Sequence, residues 1–259
     1  QDGPYVVYQD RDGAELLRYD SRHWASVELS HEERTVGDPL VQAPAREITV
    51  VDSSGASAVT AADGGHGLAR DLTVTLQGPQ LQVLDNGAGI SASGADDILL
   101  VGGTDIIHSA AQVQHTFHAT WDWLADRWPS HPWLGVLVPA TVELNHGACN
   151  AYYTSGTINF FVGDGSLCNN SGRIADVIMH ELGHGIHQYI LAAGTFAGDI
   201  SEGSSDYVAA TINDDYALAP EFYIGYPWLR ELETDKVYPG DYTGEVHNDG
   251  LIWGSFLWN

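Results

Sequence analysis

Two patterns coincide between residues 171 and 190. Ile174, Val177, Ile178, Leu182 and Ile186 recur at the three- and four-residue spacing that gives a helix one apolar face. Inside that stripe stands His180-Glu181-Leu182-Gly183-His184. Residues four apart on a helix share a face, so the two imidazoles can converge on one ion, with Glu181 beside the ion rather than on it. That is where a general base for a metal-bound water belongs. The pattern predicts a helix beginning near Ser171 or Gly172. Gly183 and Gly185 each cost such a helix about 1 kcal/mol relative to Ala, which predicts a close neighbour on that side. The competing reading is two helix histidines that only pack.

A catalytic zinc takes three protein ligands and keeps one position open for water. Glu202 is the candidate third ligand, in the run Glu202-Gly203-Ser204-Ser205-Asp206. A helix from about Ser201 to Thr211 places Glu202 and Asp206 on one face. Glu202 can then bind the metal while Asp206 accepts the outer N–H of a ligand histidine, fixing its tautomer. His187, Asp199 and His247 compete for the third position. His187 lies nearly two turns from His180 on the same helix. A longer HExxHxxGxxH pattern is absent, because Ile190 and Leu191 stand where its last histidine belongs.

The rest of the chain reads as α+β, with a β-rich part over residues 1–105 and a metal-bearing core over 106–259. Tyr5–Tyr8, Glu47–Val51, Leu72–Leu76 and Ile98–Val101 read as strands between Gly/Asp/Ser turns, while 37–44 and 52–67 read as loops. Val113, Phe117, Trp121 and Leu124 mark a helix from Ser109 to Trp128, ended by Pro129. His115 and His118 lie on it, and packing is favoured over metal binding. Ala151–Tyr153 and Thr157–Phe161 flank Ser155-Gly156 as a hairpin.

The chain has 259 residues, 44% apolar, with eight Trp, twelve Tyr and six Phe, which is a globular composition. Its 35 acids against 10 Lys and Arg give a net charge of −25. Such a surface repels nucleic acid and anionic membranes, and no apolar run is long enough to span a bilayer. It suits a secreted protein and offers oxygen ligands for Ca²⁺, with Asp164 and Asp214-Asp215 as candidates, although plain turn roles for them are favoured. Cys149 and Cys168 are the only cysteines and lie in no zinc-thiolate pattern. One disulfide is the favoured reading, closing a loop of about 20 residues worth about 3 kcal/mol; two buried thiols are the alternative.

His180-Glu181-Leu182-Gly183-His184-Gly185, Glu202-Gly203-Ser204-Ser205-Asp206-Tyr207 and Glu245-Val246-His247, with Ile252-Trp253 and Leu257-Trp258 following, resemble the fungalysin-type zinc metalloproteases. More broadly the motifs are similar to the thermolysin-like gluzincins. The resemblance covers roughly residues 109–258 and implies a secreted zinc endopeptidase acting on peptides or proteins. It implies His180, His184 and Glu202 as Zn²⁺ ligands, Glu181 as general base and His247 as donor to the oxyanion. Asn150, Ala151 and Tyr152 resemble the edge-strand segment that holds peptide substrates in that group, and a Cys149–Cys168 bridge would brace it. Three departures stand out. The interval between His184 and Glu202 holds only Tyr189 as a tyrosine. The acid that orients His247 has no aligned counterpart, leaving Asp241 or Glu245. The chain stops at Asn259 where the family continues into a longer helical lobe, so that lobe is short or missing. The family therefore points to a missing C-terminal segment as a partner. Gly13–Asp20 resembles the end of an activation propeptide, a second partner. The rival functions are a gluzincin aminopeptidase, whose free-amine-capturing segment is absent, and a non-catalytic zinc-stabilised binding module.

Overall fold

Along the strand Val138–Leu144 every second side chain is buried, because successive residues of a strand face opposite sides. This strand is the centre of a five-stranded sheet, in the order Ala151–Thr154, Thr157–Phe161, Val138–Leu144, Leu81–Asp85, Ala88–Gly89. Val138–Leu144 runs parallel to both Leu81–Asp85 and Thr157–Phe161. Parallel neighbours need a crossover, and the long helix α1 (Asp105–Arg127) lies between the first two in sequence. Ala151–Thr154 turns back on Thr157–Phe161 in antiparallel register through Ser155 and Gly156, both with positive φ as a tight hairpin turn demands. It forms one edge of the sheet.

The computed structural model describes residues 5–9, 15–20, 26–68, 71–94, 98–100, 105–191 and 197–259. Towards the N-terminus, Val27–Glu32 lies between Leu40–Pro44 and Ile98–Leu100. A four-stranded antiparallel sheet orders Ser91–Gly94, Leu72–Thr75, Thr49–Val51 and Ser57–Val59. The segment read as a loop at 37–44 thus ends in a strand, Leu40–Pro44, whose side chains are mostly exposed. With little burial on either face it carries no alternation to read, and its backbone bonds to Val27–Glu32 supply the order. Glu15–Asp20 pairs with Tyr5–Gln9; Gly13 and Ala14, the start of the propeptide-like segment, lie outside the described residues.

Among the described residues three more helices follow α1: α2 (Ala175–Ile190), α3 (Gly198–Asn213) and α4 (Val246–Trp258). The fold is α+β, with a β-rich first part. The sheet and the core both run across residue 105, where the sequence placed a boundary. Leu81–Asp85 pairs with Val138–Leu144, and one apolar cluster joins Val50, Val74 and Val83 to Phe117, Trp133, Ile178 and Leu182. Ion pairs make the same crossing. Arg34 forms a bidentate pair with Asp176 in the first turn of α2, and Arg173 pairs with Glu32 and Asp105. Among the described residues no helix is long and apolar enough to cross a membrane.

Three histidines lie where α1 meets this N-terminal part. His31 stacks on His115 with ring centroids 3.6 Å apart, and His118 bonds Gln114 at 2.9 Å. These histidines pack, as the sequence reading favoured. Burial pushes His115 and His118 down to about 4 and lowers His31. The charged groups around them are Arg46 with its partner Asp122, and Glu32, which is held by Arg173. In the unfolded chain His115 and His118 take up protons near pH 6.5, whereas in the fold they resist until about 4. Protons therefore favour the unfolded chain across that window, and stability present above it is lost as the pH falls. Urea midpoints are expected to drop from pH 7 to pH 4, and His115→Phe, which keeps the stack, is expected to flatten the drop. Equal slopes in both proteins would exclude this cluster as the cause.

Candidate metal centre

The buried stripe of α2 fixes which way its histidines point. Ile178 and Leu182 are fully buried against the core, and His180 and His184 project one turn apart with ring centroids 4.7 Å from each other. The helix itself begins at Ala175, after a short 3-10 turn at Ser171–Arg173, a little later than the spacing predicted. Gly183 and Gly185 do have close neighbours. A Cβ on Gly183 would lie 2.7 Å from the Cα of Ser205, and one on Gly185 would fall 1.9 Å from the buried ring of Trp133. The first contact lets α3 approach α2 backbone to backbone, which carries Glu202 up to the histidines.

Nε2 of His180 is 3.1 Å from Oε2 of Glu202, and Nε2 of His184 is 3.6 Å from its Oε1. One donor atom from each of His180, His184 and Glu202 lies within 4.8 Å of the other two. The outer nitrogens are held from behind. Nδ1 of His180 donates to Asp206 at 2.8 Å, and Nδ1 of His184 meets the Ser201 hydroxyl at 2.7 Å. Asp206 also accepts two bonds from Arg230, at 2.7 and 2.9 Å. An ionised carboxylate can only accept, so Nδ1 of His180 carries a proton and Nε2 is the nitrogen turned to Glu202. Among the described residues, the buried Oε2 of Glu202 has no hydrogen-bond partner. Two imidazole nitrogens and a carboxylate oxygen turned to one point match the donor set of a Zn²⁺ site. The residues present fit that ion. The other grouping of three potential ligands, Cys149, Asp164 and Cys168, contains the disulfide.

Glu181 is buried, and burial pushes its carboxyl up to about 7. It lines both a small cavity of about 90 Å³ and an open cleft of about 340 Å³. The cleft is bordered by Asn150, Ala151 and Tyr152 on the sheet edge and by His247 on α4. His247 sits in the first turn of α4 with Nε2 3.6 Å from Glu202. Of the two acids proposed to orient it, Glu245 does so: its Oε1 meets Nδ1 of His247 at 2.8 Å, while the carboxylate also accepts the first backbone N–H groups of α4. Asp241 instead accepts the backbone N–H of Val237. His187 and Asp199 stand outside the ligand cluster.

Two residues of the site went unread in the sequence. Ser201 adjoins Glu202 and shares its helix, so its place was inferable from the register. Arg230 had only one signal, a cation in the apolar run Trp228-Leu229-Arg230 of an acidic chain. The calcium candidates are otherwise engaged. Asp164 accepts three backbone N–H groups, from Ser166, Leu167 and Cys168; Asp215 pairs with Arg34; Asp214 ends α3 in left-handed geometry. These are turn and capping roles.

The β-rich sheets, the edge hairpin and the paired helices α2 and α3 surround the cluster of His180, His184 and Glu202. The fold is similar to that of the precursor of protealysin, a metalloproteinase from Serratia proteamaculans, with a TM-score of 0.52 and 16% identity over 66% of this chain and 62% of that one. The chain therefore spans less than two thirds of that structure's length, and at this identity the likeness concerns the fold. No family model matches the sequence, and no curated protein matches it either. Ser201→Ala is expected to weaken Zn²⁺ binding about tenfold by releasing the His184 ring, as loss of an outer hydrogen bond does elsewhere. Competition against a chromophoric chelator measures this, and undiminished affinity would separate Ser201 from the metal.

Proposed function

We propose that this chain is a secreted zinc endopeptidase of the fungalysin type, within the thermolysin-like gluzincins. The observation that carries the reading is the convergence of His180, His184 and Glu202 beside the buried carboxyl of Glu181, at a cleft bordered by a sheet edge. Bound zinc would lower the pKa of a coordinated water to about 7 and polarise the scissile carbonyl. Glu181 would take a proton from the attacking water and return it to the leaving amine, and its burial favours the protonated carboxyl that the return needs. His247, with its Nδ1 against Glu245, turns Nε2 to the carbonyl oxygen as negative charge develops there. One such donor is worth about 2.7–4 kcal/mol.

The substrate backbone is held by strand addition to Asn150, Ala151 and Tyr152. The small cavity, lined by Val177, Leu218, Phe222 and Leu229 with Arg230 at its polar end, takes an apolar side chain next to the scissile bond. The disulfide and the net charge of −25 support an oxidising, extracellular setting.

Glu181→Gln is expected to lower kcat/KM by about 10²–10⁴ with zinc content unchanged. His247→Ala is expected to lower kcat by about 10²–10³. N-acetylated peptides are the substrates of choice, because an aminopeptidase cannot use them. Undiminished cleavage by Glu181→Gln would refute the mechanism, and cleavage confined to free amino termini would make the enzyme an aminopeptidase.

A further inference from the structure

The disulfide ties two segments that both lead to the cavity beside Glu181. Cys149 immediately precedes Asn150 and Ala151, which line the cavity, and Cys168 lies beside the segment that carries Ala219 and Phe222, which line it too. Cys168 is fully buried and is bridged in antiparallel fashion to Tyr223. Backbone bonds flank that bridge, from Asn169 to the Phe222 carbonyl at 3.0 Å and from Ile224 to the Leu167 carbonyl at 2.9 Å. The Asn169 side chain adds a bond to the Glu221 carbonyl at 2.6 Å. A continuous strap therefore runs from Asn150 through the disulfide and residues 167–169 to Phe222.

Both ends of the strap carry backbone that needs holding. Cys149, Ala219 and Glu221 all have left-handed φ, at 55°, 51° and 57°, a conformation uncommon for residues other than glycine. On the edge-strand side, the Ser171 hydroxyl bonds the Asn150 carbonyl at 2.8 Å. The proposed ligands His180, His184 and Glu202 lie on α2 and α3, outside the strap.

Resting on the endopeptidase reading, we infer that the Cys149–Cys168 disulfide, with Asn169, is a positioning element that sets the width of the apolar cavity and so selects the substrate side chain after the scissile bond. A bridge with only a stabilising role would shift the unfolding midpoint and leave selectivity alone. The strap instead couples the disulfide to selectivity without touching the metal.

The test compares wild type, Cys149→Ser/Cys168→Ser and Asn169→Ala on N-acetylated peptides that differ only in having Leu, Phe or Ala after the scissile bond. For the double variant, the Leu-over-Ala ratio of kcat/KM is expected to fall about tenfold, chiefly through KM, with zinc content unchanged. For Asn169→Ala, a fall of about threefold is expected, and this variant decides the matter if the double variant does not fold. No cleavage of any of the peptides by wild type overturns the endopeptidase reading and this inference together. Cleavage by wild type with an unchanged ratio in the folded variants overturns this inference alone.

Discussion

The Asp206 carboxylate is the contact on which the centre depends. It is buried on α3, and it accepts from His180 on α2 and from Nε and Nη2 of Arg230. Burial alone would raise its pKa, yet the guanidinium and imidazole beside it hold it well below the usual carboxylate range. Three separate stretches of chain are thereby locked to one anion. Removing the Arg230 guanidinium would leave a buried charge uncompensated, which is among the costlier changes a protein interior can undergo. The orientation of His180 and the placing of Arg230 at the apolar cavity follow from this one group, while Gly183 admits the close approach of α3 to α2.

The helices bearing the centre were legible because their burial is periodic. The Ile174–Ile186 stripe, the Val113–Leu124 stripe and the hairpin around Ser155-Gly156 each show a single period. His180, His184 and Glu202 were singled out by spacing, and the structure brings their donor atoms together. Other parts had no local signature. Leu40–Pro44 is ordered by its partner strand. Arg230 acquires its meaning only from Asp206, a residue far away in sequence. The sheet crossing residue 105 rests on a parallel pairing between Leu81–Asp85 and Val138–Leu144, and long-range register leaves no mark in either strand alone.

Cations are scarce here, and several of them point inward. Arg34 faces Asp176, Arg173 faces Glu32 and Arg230 faces Asp206, each with two hydrogen bonds to one carboxylate. Arginine suits this work, since its planar fork matches a carboxylate and never loses its charge. With these guanidinium groups engaged, the outer surface is left strongly acidic. A net charge of −25 repels other acidic molecules from the chain as a whole, more so at low ionic strength.

The Arg34 contact has a consequence for how the molecule can be cut. Arg34 belongs to the N-terminal third, yet it bonds Asp176 in the first turn of the helix carrying both histidines, as well as Asp215 and the Ala217 carbonyl just beyond α3. A protease that nicked the chain between residue 34 and α1 and let the upstream piece diffuse away would strip the counterion from a buried aspartate under the histidines. The N-terminal third thus acts as a keystone for that helix, and a molecule trimmed of it would lose the footing of its metal site.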